Sequence, residues 1–145
     1  MEKLIKKIHD GDELLAIIIS SEYDEKGIHF FTSDEFSQQL GYMNHPKGKE
    51  IIPHFHNPVP RQVEYTQEVL FIKSGKLRVD FYDLNQDYIE SHTLSNNDVI
   101  LLIKGGHGFE VLEDIEMLEI KQDPYVGDND KTRFSAISND KIKIK

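Results

Sequence analysis

The stretch IIPHFHNPVPRQVEYTQEVLFIKSG, residues 51–75, places two histidines one residue apart and a glutamate at the start of an apolar run. Alternate residues of a β-strand face the same side, so in a strand His54 and His56 would point together, with Cβ atoms about 7 Å apart. Glu68 precedes the apolar VLFI, where a charge is costly unless it is paired or bound to a cation. The pattern predicts two imidazoles and one carboxylate converging on one metal ion.

A further imidazole is available at His107, in the glycine-rich turn KGGHGF. Three imidazoles and one carboxylate suit one divalent ion of Fe, Mn, Co, Ni, Zn or Cu and do not select among them. Two surface histidines on an edge strand would give the same H-x-H pair. The surrounding sequence therefore has to distinguish a metal site from such a surface pair. Glu64 is the rival carboxylate, because it shares a strand face with Glu68 if that strand begins early.

Composition limits the class of protein. The chain has 145 residues, which suits one domain, and its 17 basic and 26 acidic residues give a net charge of −9. That charge argues against nucleic acid and anionic lipid as partners. Without cysteine there is no disulfide, thiolate metal site or cysteine nucleophile. The longest apolar run, residues 14–19, is far shorter than the roughly 20 residues of a membrane span, and we expect a cytoplasmic protein.

Short apolar segments separated by turn residues predict an all-β fold, a sandwich or barrel. Residues 2–8 could form one or two helical turns, residues 14–32 are expected to form a β-hairpin, and residues 32–41 a short helix with capping-box spacing. A second hairpin is expected over EVLFI, the turn KSG and KLRVDFYD. The single domain then divides into an amino-terminal part (1–47), a motif-bearing barrel (48–124) and a polar tail (125–145), which we expect to be frayed unless KIKIK forms an edge strand.

The spacing of these residues resembles the first motif of the cupin superfamily. Gly48, five residues, His54-x-His56, then Glu68, six residues and Gly75 follow the family pattern, although the spacer before Glu68 is about seven residues longer. The second motif is matched less closely by NDVILLIKGGHGFEV, residues 97–111. There Asn97 replaces a glycine, Ile103 replaces the proline, and His107 comes one residue early.

The resemblance implies a double-stranded β-helix, or jelly-roll barrel, with a metal ion in its mouth held by His54, His56, Glu68 and His107. It also implies a homodimer paired through amino-terminal strands. Three functions stay open: a metal-dependent isomerase or epimerase acting on a small polar molecule such as a sugar or sugar nucleotide, a metal-dependent dioxygenase, and a non-catalytic ligand- or metal-binding protein. Cupins carry many unrelated activities, so the fold alone does not select among these three functions.

Several side chains are candidates for direct roles in catalysis. Proton transfer between a histidine and a tyrosine or aspartate would serve sugar chemistry without a metal, and the tyrosine and histidine candidates are Tyr42, Tyr65, Tyr82, Tyr125, His45 and His107. Arg78, Lys121 and Arg61 are the cations that could hold a substrate carboxylate or phosphate. The four histidines outside the two motifs, His9, His29, His45 and His92, are predicted not to be metal ligands.

Overall fold

A computed structural model describes residues 3–122 and 131–145 of the chain. These residues form eight β-strands and one 3-10 turn, Asn139–Lys141, and hold no α-helix. The strands are β1 (Ile5–Asp10), β2 (Glu13–Ile19), β3 (Gly27–Phe30), β4 (Gly41–Asn44), β5 (Glu68–Tyr82), β6 (Tyr88–Leu94), β7 (Val99–Leu102) and β8 (Gly106–Lys121). The predicted all-β class is confirmed. In the described part of the chain, no helix has the length and apolarity needed to cross a membrane.

Six strands form one curled antiparallel sheet that resembles half of a barrel. The order is β1-β2-β7-β5-β6, and β8 pairs along nearly the whole of β5. The first residues of β5 lie between β7 and β8, and its last residues lie between β6 and β8. β5 is therefore the strand on which the sheet is built. The strands β3 and β4 form a separate two-stranded sheet.

The sheet is buried on both faces at its centre. The face we call the lumen face carries the main core, in which Leu70, Ile72, Val79 and Phe81 pack with Ile100. The opposite, outer face carries a second cluster, which packs partly against the segment between β2 and β4. Burial on both faces explains why β2 has the continuous apolar sequence LLAIII instead of an alternating one.

The amino-terminal part differs from the expectation. Residues 5–10 form a strand and not helical turns, and the predicted hairpin over residues 14–32 is wrong because β2 pairs with β1 and β7. The predicted helix over residues 32–41 is also wrong. The Thr32 hydroxyl donates to Gln39 Oε1 (2.6 Å) and accepts from the Leu40 amide (3.2 Å), so side-chain bonds close a loop in place of a helical turn.

The predicted hairpin at KSG is wrong as well, since β5 runs without reversal from Glu68 to Tyr82. Gly75 has φ of +102°, and the pairing with β8 shifts register on both sides of it. A Cβ on Gly75 would stand 2.2 Å from the Asp114 carbonyl oxygen. The glycine therefore bends a continuous strand at a bulge, which a turn signal in the sequence does not distinguish from a chain reversal.

The described part of the tail is bonded to the sheet, unlike the frayed tail that we expected. The Ser91 amide donates to the Lys143 carbonyl (2.8 Å), and the Lys145 amide donates to the Ser91 carbonyl (2.9 Å). These bonds make a parallel bridge between Ser91 and Ile144. KIKIK thus extends the edge at β6 by one bridge.

Candidate functional site

Glu68 and His107 meet at the mouth of the curled sheet. Glu68 is the first residue of β5 and is 8% exposed, and its Oε2 lies 3.6 Å from His107 Nε2. In register, however, His107 stands opposite Phe81, thirteen residues along β5 from Glu68. A flat strand would separate the two positions by about 40 Å. The curl of β5, which the Gly75 bulge permits, brings the two side chains together.

Burial changes the protonation of both side chains. It raises the pKa of Glu68, Glu119 adds to the rise, and Lys121 and Lys131 oppose it. Burial and Lys131 lower the pKa of His107, so this imidazole is neutral at pH 7.

An open cavity of about 890 Å³ adjoins this pair. Its volume is within the range of small-molecule sites, roughly 300–1,000 Å³. The wall includes Glu68, His107 and Glu119, and the tail adds residues 131–134. The remaining lining residues are Glu64, Tyr65, Thr66, Leu84, Ile103, Lys104, Gly105, Gly106, Gly108 and Phe109. A small polar substrate would have room beside the carboxyl–imidazole pair.

His54 and His56 lie in an irregular segment, residues 45–67, of which residues 51–60 are exposed, and not in a strand as expected. Pro53, Pro58 and Pro60 each remove a backbone donor, which opposes strand pairing there. The two rings still lie side by side, with centroids 5.4 Å apart.

One ring nitrogen of His54 is already hydrogen-bonded to the backbone. Its Nδ1 is 2.8 Å from the Ile52 carbonyl oxygen. A carbonyl oxygen only accepts, so Nδ1 donates to it and Nε2 is the ring nitrogen left to bind an ion. The chemistry of the pair therefore fits a metal, although its position is apart from Glu68.

The predicted ligand set is only partly brought together. Within residues 3–122 and 131–145, no three His, Asp or Glu side chains are arranged as ligands of one ion. Glu68 and His107 form half of the expected set, whereas His54 and His56 stand elsewhere. Glu64, the rival carboxylate, lines the same cavity as Glu68, so both carboxylates stay candidates.

Two of the candidate catalytic residues, Arg78 and Tyr82, make separate polar contacts with other parts of the chain. Arg78 binds Asp80 through two bonds (2.8 and 3.1 Å) and Glu110 through a third (2.8 Å). Tyr82 is 3% exposed, and its hydroxyl accepts the Ile137 amide (2.9 Å). These contacts give Arg78 and Tyr82 structural partners. The third candidate, Lys121, is at the site, with Nζ 3.8 Å from Glu68 Oε1.

The other candidates are dispersed. Tyr65 lines the cavity, with the Lys104 ammonium 5.8 Å from its ring centroid. Tyr42 packs edge-on against Tyr23 at 4.8 Å, and Arg61 is exposed. Tyr125 lies outside the described residues.

The histidines expected not to be ligands lie in varied surroundings. His92 is buried against Glu90, 2.6 Å away, and His29 Nε2 is 2.7 Å from the Lys26 carbonyl oxygen. His45 Nε2 is buried without a described partner, and His9 is exposed in β1. Their exclusion as metal ligands stays a prediction.

Among the residues that line the cavity, the sequence analysis assigned no site role to Glu119, Lys131, Arg133 and Phe134. A signal existed for Glu119, because it alternates with Lys121 in a strand whose partner strand begins with Glu68. The tail residues had only a weaker signal, the basic composition of residues 131–145.

Comparison with known proteins does not place this chain in a family. No family model, no curated protein and no solved structure matches the chain. Function therefore has to be argued from the site and not from a relative.

Proposed function

We propose that the chain is a small jelly-roll protein of the cupin type that binds one divalent transition metal ion through His54, His56, Glu68 and His107. The observation that carries the proposal is the buried carboxyl group of Glu68, which lies 3.6 Å from the partly exposed imidazole of His107 at the mouth of a curled antiparallel sheet. A bound cation would compensate the charge of Glu68, which burial otherwise destabilises.

The position of the segment 45–67 supports the participation of His54 and His56. Its last residues, Glu64, Tyr65 and Thr66, already line the cavity and lead directly into Glu68. The histidine rings are exposed and adjacent, so a movement of the exposed residues 51–60 would carry both together. The proposal requires this movement over the cavity.

The best-supported activity is isomerisation or epimerisation of a small polar molecule, such as a sugar or sugar nucleotide. The metal ion would supply Lewis-acid polarisation of a substrate carbonyl. Glu119 and Tyr65 line the cavity beside the pair and are placed to accept or return a proton. The cavity volume favours a ligand-binding site over a closed one. We further propose that the protein is a cytoplasmic homodimer.

The proposal is tested by the metal content of untagged protein, measured by mass spectrometry. We expect about one divalent ion per chain, and less than about a tenth of that in His107→Ala and His56→Ala. His29→Ala is the matched control and should keep the full content. Circular dichroism of each variant separates metal loss from unfolding. Full metal content in both site variants would contradict the proposed ligand set, and a redox-active iron in the wild type would favour a dioxygenase.

A further inference from the structure

We propose that the carboxyl-terminal segment, residues 131–134, forms an oxyanion-binding wall of the cavity, with Lys131 as the residue that selects substrates carrying a carboxylate or phosphate. This inference names the substrate class of the proposed site and rests on that site being functional.

The first support is the packing of the tail residue Phe134 against the sheet next to His107. The Phe134 ring packs edge-on against Tyr82 with centroids 5.0 Å apart. A Cβ on Gly106 would stand 2.7 Å from Phe134 Cζ, so the close approach of Phe134 needs a glycine immediately before His107. Gly106 thus leaves the space on the sheet that the Phe134 ring occupies.

The second support is the anchoring of the chain that follows Phe134. The Ile137 amide donates to the Tyr82 hydroxyl (2.9 Å), and the Lys143 amide donates to the Tyr88 hydroxyl (2.9 Å). The Tyr88 hydroxyl also contacts Ser91 Oγ, which donates to the buried Asp80 carboxylate (2.5 Å). These bonds hold the tail against the sheet along its length and fix where residues 131–134 lie.

The third support is charge. Residues 131–145 contain five basic residues and one acidic residue, in a protein of net charge −9. Lys131 and Arg133 line the cavity together with Lys104, and Lys121 stands at Glu68. The lining also contains three carboxyl side chains, Glu64, Glu68 and Glu119, so the cations are what an anionic ligand would contact. Cations gathered at one cavity of an acidic protein would attract and orient an anionic ligand. Lys131 lines the same cavity as Glu68 and His107, so an anionic group bound by Lys131 would lie in the cavity that holds this pair.

The test is calorimetric titration of metal-free, full-length protein with three probes: inorganic phosphate, succinate and uncharged glucose. Low salt is needed because screening weakens such contacts. We expect phosphate or succinate to bind at least tenfold more tightly than glucose, and the tighter of the two identifies the oxyanion. Lys131→Ala should weaken that binding about tenfold or more, whereas Lys131→Arg should retain it.

Two further variants complete the design. Lys141→Ala removes an equal charge from the same tail away from the cavity lining, and it should leave affinity unchanged within about twofold. Gly106→Ala should weaken anion binding by displacing Phe134. The inference is overturned if neither anion binds, or if Lys131→Ala binds the anion as well as the wild type does. Metal content is measured on each variant as purified, before the metal is removed for titration, so a failed metal site and a failed anion wall give distinguishable results.

Discussion

Substitution of Glu68 by glutamine should stabilise the metal-free protein, although it removes a predicted functional group. Glu68 is 8% exposed, and the influences that raise its pKa, burial first and Glu119 second, outweigh the attraction of Lys121 and Lys131. The ionised form is therefore less favourable in the folded state than in the unfolded state. In the Glu68→Gln variant the side chain keeps its shape and loses its charge.

The expected gain is about 1 kcal/mol in the free energy of unfolding at pH 7, the usual size of a single favourable substitution. For a chain of this length it corresponds to roughly 2–4 °C in Tm. The gain should depend on pH in a defined direction. At pH values below the usual pKa of a glutamate, Glu68 is protonated in both states and the gain is absent. It appears as pH rises towards the raised folded-state pKa and is complete above that value.

Thermal and urea unfolding with EDTA across pH 4–8 would measure this effect. Glu116→Gln is the matched control, because Glu116 makes only an exposed pair with Lys73 at 3.4 Å and should change stability by less than about 0.5 kcal/mol. With saturating Zn²⁺ the order should reverse, since ligand binding stabilises only the protein that retains its ligands. A Glu68→Gln protein less stable than wild type in EDTA at pH 7 would refute the reasoning, because the contacts of Glu68 would then outweigh its burial.

Three further substitutions test the fold that positions the site. Asp80→Ala leaves the buried Arg78 without its bidentate partner and should cost about 3–5 kcal/mol by urea unfolding; a loss under about 1 kcal/mol would contradict a buried network. Gly75→Ala and Gly48→Ala both impose positive φ on alanine, but only the Cβ at position 75 would meet a backbone atom, at 2.2 Å. The Tm of Gly75→Ala should therefore fall clearly further than that of Gly48→Ala. Equal losses of Tm would show that the backbone does not approach Gly75 closely. Tyr82→Phe removes the acceptor of the Ile137 amide and should cost about 0.5–1.5 kcal/mol and speed hydrogen exchange of that amide; unchanged exchange would place the tail elsewhere.

The strand pattern could be predicted from sequence, whereas the order of strands in the sheet could not. The apolar segments of β2, β5 and β7 are visible because they are buried on one or both faces. Pairing is not visible in this way, since a glycine-rich turn signal fits a reversal and a bulge equally well. That ambiguity explains why β5 was expected to reverse at Gly75, where the strand only bends.

The residues of the candidate site could likewise be predicted only in part. Glu68 and His107 were predicted from residue type and context, and the curl of the sheet brings them into contact. A strand was expected at His54 and His56, and the chain is irregular there because Pro53, Pro58 and Pro60 oppose strand pairing. The role of the tail depends on contacts of Phe134 and Ile137 with Tyr82, more than fifty residues away. Such long-range contacts leave no periodic trace in a single sequence.

The convergence of three histidines and one carboxylate on one ion is tested most directly by NMR of the histidine rings. Long-range ¹H–¹⁵N spectra of the full-length protein would be recorded without metal and with one equivalent of Zn²⁺. The account predicts that the ring nitrogens of His54, His56 and His107 shift together at saturation, while those of His9, His29, His45 and His92 keep their positions. A shift of His107 alone, or a spectrum unchanged by Zn²⁺, would contradict the proposed metal centre.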